Sequence, residues 1–273
     1  MTAVIFISSL VIALVLLPLW AWKWNVKIKT AIWGGIIIGI VTGLIVYWIN
    51  TAAVDVHVAF LILFELALII IFTLLIILTR FYRDPERTPP ETENVILSPA
   101  DGTVVYVNRI ENPSLLVSTK GNKKYKLEEI ASTDMLGNAV YLVGIDMNVL
   151  NVHVNRSPVG GKVVLCKRTR GSFISLRRQE SEITNERVTT VIDNQKFKIG
   201  VIQISSRLVR RIQSYIGEGD DTEIGQRLGA IVFGSQVDVV VPPLEDLSIE
   251  VKRGDEVQAG VSVIARFEKK YKE

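Results

Sequence analysis

Ser98-Pro-Ala-Asp-Gly-Thr-Val-Val (98–105) returns, altered but recognisable, as Ser157-Pro-Val-Gly-Gly-Lys-Val-Val (157–164). Each stretch opens on turn-forming residues and runs into β-branched ones, the pattern of a turn feeding a strand. A second echo lies downstream, Gly219-Asp-Asp-Thr-Glu-Ile-Gly225 against Gly254-Asp-Glu-Val-Gln-Ala-Gly260, and reads as a glycine-bounded turn joining two strands. Two echoes within about 160 residues of mostly short apolar runs predict a mainly β domain folded over on itself, a sandwich or barrel.

The turn pattern of that domain resembles lipoyl- and biotinyl-carrier domains. Neither echo holds the central lysine that those carriers modify, so a carrier role is disfavoured. The chain as a whole has 273 residues, a net charge of +3 and a mean hydropathy of +0.34. Its apolar residues crowd into the first eighty positions, which divides it into a membrane part and a soluble part. Such a small net charge, with no basic stripe carrying interleaved aromatics, argues against nucleic acid as a partner.

Three apolar stretches, 3–22, 31–49 and 58–79, approach or exceed the ~20 residues that cross a bilayer as a helix. The first has no basic residue before it and ends in Trp-Ala-Trp rather than a small-residue cleavage site, so it reads as a span and not a signal peptide. Residues 1–79 are therefore a membrane domain, 80–95 a charged, proline-containing linker, and 96–273 the soluble domain. Lys23, Lys27 and Lys29 follow the first span and Arg80, Arg83 and Arg87 the third, while the loop between the second and third carries only Asp55 and His57. The positive-inside rule then places the amino terminus outside and the soluble domain in the cytoplasm, on the cell membrane. All five tryptophans lie near span ends, where indoles favour the interface. Glu65 lies inside the third span and reads as a contact between helices, and Gly34, Gly35, Gly39 and Gly43 read as close-packing positions on the second.

The candidate chemistry sits in Ile-Val-Phe-Gly-Ser-Gln-Val-Asp-Val-Val-Val (231–241). Its β-branched flanks read as one strand with Ser235 in the middle, beside the unhindered carbonyl of Gly234. That arrangement suits attack by a serine on its own peptide bond, although a glycine bulge followed by an outward serine has the same appearance. His153 is the only histidine beyond the spans, so acid–base work near neutral pH falls to it. With two histidines and one cysteine, and no His-Glu-x-x-His, no transition-metal site is predicted. Cys166 rules out an internal disulfide and reads as core filler in a strand over 162–166. Gly217-Glu-Gly219 lacks the third glycine of a dinucleotide fingerprint, and no phosphate-cradling Gly-Lys-Ser/Thr loop occurs.

Taken in order, Phe81-Tyr-Arg-Asp-Pro-Glu-Arg87, Ser98-Pro-Ala-Asp-Gly102, Met147-Asn-Val-Leu-Asn-Val-His-Val-Asn-Arg-Ser-Pro-Val-Gly-Gly161, Asn185-Glu-Arg187 and Phe233-Gly-Ser-Gln-Val-Asp238 resemble the phosphatidylserine decarboxylase proenzymes. The likeness is strongest to their compact branch, which includes archaetidylserine decarboxylases, and runs from about Arg80 to the carboxyl terminus. It implies self-cleavage between Gly234 and Ser235. Ser235 would attack the Gly234 carbonyl, then lose the acyl group by β-elimination and ammonia by hydrolysis, becoming a covalent pyruvoyl cofactor. It implies His153 as the base and Asp101 as the acid that orients and charges the imidazole. The substrate would be a membrane phospholipid with a serine head group, decarboxylated through a Schiff base to the pyruvoyl group, with His153 returning the proton. The two self-cleaved chains would stay associated. A homo-oligomer is left open, as is the choice between phosphatidylserine and archaetidylserine. Gln236 departs from the hydroxyl or basic residue that often follows the serine in this family, and three spans exceed the usual one or two.

Two other readings compete. A membrane-anchored serine hydrolase would use the same Asp101, His153 and Ser235, but its nucleophile sits on a strand-to-helix elbow between glycines, unlike Ser235. A membrane-fusion-type adaptor on the same β fold would leave His153 and Ser235 without a task. The run Arg168–Arg187, mixing Arg168, Arg170, Arg177 and Arg178 with Phe173, Ile174 and Leu176, reads equally as a loop against anionic head groups or as a solvated face.

Overall fold

A computed structural model describes residues 1–52, 56–111, 117–120, 123–126, 139–169, 186–205, 211–232, 235–244 and 246–267. The chain divides into two compact units, Met1–Tyr82 with Asn148–Leu150, and Arg83–Met147 with Asn151–Glu273.

The first unit holds three helices, α1 (Thr2–Lys23), α2 (Ile28–Ala52) and α3 (Val58–Phe81), each long and apolar enough to cross a membrane. Helices satisfy their backbone polar groups internally, which is what an apolar segment without water requires. Burial follows a spacing of four: Ile5, Ser9, Ala13, Leu17 and Ala21 on α1, and Leu61, Glu65, Ile69, Thr73, Ile77 and Phe81 on α3. On α2 the glycines let the backbones approach. A Cβ at Gly39 would lie 3.1 Å from Leu10 Cα, and one at Gly43 would lie 2.8 Å from Ser9 Oγ. Glu65 is fully buried, with Oε2 2.6 Å from Ser8 Oγ, so it joins α3 to α1 as a helix contact.

The second unit is a curled antiparallel sheet with smaller sheets around it. Its strands begin with β1 (Val95–Leu97), β2 (Gly102–Ile110), β3 (Val117–Lys120), β4 (Lys123–Lys126), β5 (Val140–Met147), β6 (Val154–Arg156), β7 (Gly161–Thr169) and β8 (Arg187–Asp193). They continue with β9 (Lys198–Ile204), β10 (Arg211–Ser214), β11 (Asp221–Thr222), β12 (Arg227–Val232), β13 (Ser235–Val241), β14 (Ser248–Ile249), β15 (Glu256–Val257) and β16 (Val263–Arg266). The eight-stranded sheet has the order β11-β7-β8-β9-β13-β5-β2-β15, and three-stranded sheets run β10-β12-β6 and β1-β16-β14. Residue alternation sends Val237, Val239 and Val241 to the main core with Val143, Ile145, Val188 and Ile264, and Val240 to a second apolar cluster on the opposite face with Leu142, Ile202 and Ile204. Cys166 is half-buried against the main core, where burial pushes its thiol pKa up, in keeping with a packing role.

The two sequence echoes are a structural repeat. Ser98 Oγ bonds to Ala100 O at 2.7 Å and Ser157 Oγ to Val159 O at 2.6 Å. The two turns clasp each other, Leu97 N donating to Pro158 O and Arg156 N to Pro99 O. Gly260 N donates to Ser98 O just as Gly225 N donates to Ser157 O, and Val104 N to Asp255 O as Val163 N to Asp220 O. The glycines at 219, 225, 254 and 260 all take positive φ, which explains their recurrence at the same points of both copies. Each downstream echo holds a two-residue edge strand, β11 on β7 and β15 on β2, where the sequence showed only a turn.

The single strand expected over 231–241 is two strands. β12 ends at Val232 and pairs with β6 and β10, whereas β13 starts at Ser235 and pairs with β5 and β9. Ser235 therefore opens a strand rather than occupying the middle of one. The run is uniformly β-forming, and only its partners differ, so its composition carried no mark of the change of sheet.

Candidate active site

Of the residues singled out from sequence, Ser235 opens β13 and His153 is bonded to β12, while Asp101 is bonded to Val152 beside His153. Gly234 itself lies outside the described residues, and Ser235 is described by its backbone. Ser235 pairs with Met147 at the end of β5, while Ile231, near the end of β12, donates its N–H to His153 O at 3.1 Å. Met147 thus pairs with Ser235, and His153 O holds Ile231, three residues before Gly234.

His153 is 2% exposed. Its Nδ1 lies 2.9 Å from Asn151 O. A carbonyl only accepts, so that contact puts the ring proton on Nδ1 and leaves the basic lone pair on Nε2. Burial lowers the imidazole pKa to about 4, against the opposing pull of the Asn151 carbonyl and the Asp101 charge. The ring is neutral at physiological pH.

Asp101 sits at the end of the first echo turn, 5% exposed. Its Oδ1 accepts from Ala259 N at 2.9 Å and from Arg87 Nη1 at 2.5 Å; its Oδ2 accepts from Arg87 Nη2 at 2.9 Å and from Val152 N at 3.4 Å. The carboxylate thus bonds to the residue before His153, and its charge acts on the imidazole through space. The hydrogen bond at Nδ1 belongs to the Asn151 carbonyl.

Other polar residues at this place were not singled out by sequence reading. Arg87 is one. Another is Asn155, fully buried, which accepts from Gln203 Nε2 at 2.8 Å, with its own Nδ2 3.8 Å from Met147 Sδ. Gln236, the departure beside the serine, donates from Nε2 to Tyr106 Oη at 3.0 Å and to Asp238 Oδ1 at 2.8 Å. Tyr106 Oη in turn donates to Asp238 Oδ2 at 2.6 Å. This network anchors the first turns of β13 on the face opposite to Val237. Polar residues at alternate positions of Gln236-Val-Asp238, inside an otherwise apolar strand, were the available signal.

In the run Arg168–Arg187, Arg168 bonds to Glu186 Oε1 at 2.5 Å and to Ile212 O at 2.7 Å. That accounts for the Glu186 of the Asn-Glu-Arg motif. Arg170, Phe173, Ile174, Leu176, Arg177 and Arg178 lie outside the described residues.

The family model for phosphatidylserine decarboxylase matches residues 74–265. The chain belongs to that family. It is 41% identical over 193 residues to a protein of Methanocaldococcus jannaschii named as an archaetidylserine decarboxylase proenzyme, covering 71% of this chain and 91% of the relative. A protein of the same name from Methanothermobacter thermautotrophicus is 37% identical over 73% of this chain and 84% of its own length. A phosphatidylserine decarboxylase proenzyme of Chlorobium limicola is 37% identical over 74% of this chain and 84% of its own. The matched family region starts within α3 and spans Arg87, Asp101, His153 and Ser235.

Proposed function

We propose that the chain is a proenzyme that cuts itself between Gly234 and Ser235 and then decarboxylates the serine head group of a membrane phospholipid. The observation that supports this reading is that Ser235 opens β13 opposite Met147 while β12, the strand before it, is bonded at Ile231 to His153 O, with Asp101 bonded to Val152. Family membership favours it over the hydrolase and the adaptor.

Cleavage starts when the neutral His153 takes the Ser235 hydroxyl proton at Nε2, and the oxygen attacks the Gly234 carbonyl. The amide becomes an ester. Loss of the Cα proton of residue 235 expels the Gly234 carboxylate and leaves dehydroalanine. Its imine tautomer takes up water and releases ammonia, so residue 235 ends as a pyruvoyl group at the head of the 235–273 piece. The new chain end stays in place because β13 is paired on both edges, with β5 over Ser235–Val241 and with β9 over Gln236–Val240. These residues fit the group: a hydroxyl amino acid opens a central strand, and a buried histidine is bonded to the strand that precedes it.

When formed, the pyruvoyl carbonyl supplies an electron sink for the charge left by departing CO2. The protein's own task is then to bind the head group, keep water out and deliver a proton. Burial that holds His153 near pKa 4 makes its protonated form a strong acid, so a proton gained at Nε2 is readily passed to the carbon that lost the carboxylate. Phosphatidylserine and archaetidylserine share this phosphoserine head, and the reading extends to both. The three helices anchor the enzyme to the cell membrane, with the β unit on the cytoplasmic side as the loop charges require.

The test is an intact-mass spectrum of the purified protein. The expected result is a 1–234 piece and a small piece with a blocked, borohydride-reducible first residue. A wild-type chain that decarboxylates lipid while uncut, or a small piece with a free serine amine, overturns the proposal.

A further inference from the structure

We propose that Arg87 is a positioning residue for self-cleavage, acting through Asp101, and that the strap Arg83–Pro90 belongs to the catalytic apparatus. This rests on the proenzyme reading and adds a residue and a segment to it. Among the described residues the Arg87 guanidinium makes three bonds. Two go to the two carboxylate oxygens, at 2.5 and 2.9 Å, and the third goes to Ala259 O at 2.7 Å. Ala259 N returns a bond to Asp101 Oδ1, closing a ring of three residues. Both charged side chains are nearly buried, at 10% and 7% exposure. A planar guanidinium grips both carboxylate oxygens at once and so fixes the plane of the carboxylate as well as its charge. What is left to Asp101 is the bond to Val152 N, beside His153.

The rest of the strap is fixed in register to the strands that carry the site. Asp84 Oδ1 and Pro85 O both accept from Arg156 Nη2, at 3.3 and 3.0 Å. Arg156 ends β6, three residues beyond His153. Asp84 Oδ2 and Glu86 Oε1 accept from Arg227, at 2.5 and 2.6 Å. Arg227 opens β12, the strand that leads to Gly234. The strap thus grips β6, which follows His153, and β12, which leads to the scissile bond, and brings Arg87 to Asp101. A purely mechanical staple would share its effect among all these ion pairs, whereas a positioning role concentrates it in Arg87.

The experiment follows cleavage of the full chain, made by brief induction in membranes, by gel over time. Arg87→Ala is expected to slow cleavage about 100-fold, the size of effect that misplacing a reacting group by about 1 Å produces. Added guanidinium is expected to restore part of the rate, and Arg87→Lys to remain at least about 10-fold slow because one ammonium cannot grip both oxygens. Arg227→Gln removes two strap ion pairs but leaves the Arg87–Asp101 pair, and is expected to cut within about threefold of wild type, as partly exposed pairs contribute little. Arg87→Ala combined with Asp101→Asn is expected to be no slower than Asp101→Asn alone. Cleavage of Arg87→Ala or Arg87→Lys at the wild-type rate overturns the proposal. So do additive effects in the double variant, failure of guanidinium to rescue, or an equal loss in Arg227→Gln. A wild-type chain that stays uncut overturns the proenzyme reading instead.

Discussion

The Asp101 turn and the Gly160 turn are copies of one another in backbone and hydrogen bonds, yet only the first carries a charged side chain. The correspondence extends along the large sheet. Asp146 pairs with Thr103 and with Gln236, as Asp193 pairs with Lys162 and with Lys198. Counting back one residue, Ser235 stands where the other half has Phe197. There the chain makes a short hairpin from β8 to β9, closed by Asn194, whose N–H donates to Phe197 O and whose Oδ1 accepts from Phe197 N. At Ser235 the chain instead arrives from β12, in a different sheet. The scaffold occurs twice; Asp101 and Ser235 lie in the copy where a hairpin is replaced by a crossing and a glycine by a carboxylate, while His153 lies at the head of the other copy, just before β6.

The largest expected effect is the loss of cleavage itself. Ser235→Ala should remain a single chain on a gel, and Phe197→Ser should add no cut at the equivalent bond. A new fragment ending at residue 196 would break the comparison, because it would show that the backbone plan alone suffices.

Next come the acid and base. His153→Ala should block cleavage or slow it beyond about 1,000-fold, and Asp101→Asn should slow it by about 100-fold or more. Gly160→Asp places a carboxylate at the equivalent turn, where an added Cβ would have its nearest neighbour at 3.5 Å. Its cleavage time course should match wild type.

Acid sensitivity should belong to the other copy, which holds His153. An unfolded imidazole binds a proton below about pH 6.5, whereas His153 stays neutral down to about 4. The unfolded chain therefore holds more protons in that window, and stability is greatest above it and falls as the pH drops through it. The loss is of order 3 kcal/mol. Thermal melting in detergent at pH 7 and pH 4.5 should show a smaller drop for His153→Gln than for wild type, and equal drops would place the imidazole in a solvated site.

The smallest effect tests the scaffold that both halves share. A Cβ at Gly102 would lie 2.2 Å from Asp146 O, and one at Gly161 2.3 Å from Asp193 O. Alanine at either position should cost a similar 1–3 kcal/mol of stability. Only Gly102→Ala, next to Asp101, should also slow cleavage. Unequal melting shifts would mean that the two turns are not equivalent.

Much of this was legible in the chain. Apolar length and loop charge marked three helices, and α1–α3 overrun the expected 3–22, 31–49 and 58–79 by only a few residues, because a helix must continue until its last backbone groups reach a partner. Repeated turn residues marked the duplicated β plan, since proline, glycine and serine at fixed spacing impose backbone geometry locally. Gly234, Ser235 and His153 stood out by residue type, and Asp101 through the family resemblance. Tertiary structure alone decided that Ile231–Val241 changes sheets, because strand partners lie far away in sequence and leave no local trace. It decided that Gln236, Tyr106 and Asp238 form one network, which joins β2 to β13 across 130 residues of chain. It also turned the charged, proline-rich stretch after the third helix into a strap. Alternating charges beside prolines look the same whether they meet water or, as Asp84, Glu86 and Arg87 do, meet Arg156, Arg227 and Asp101 brought up by the fold.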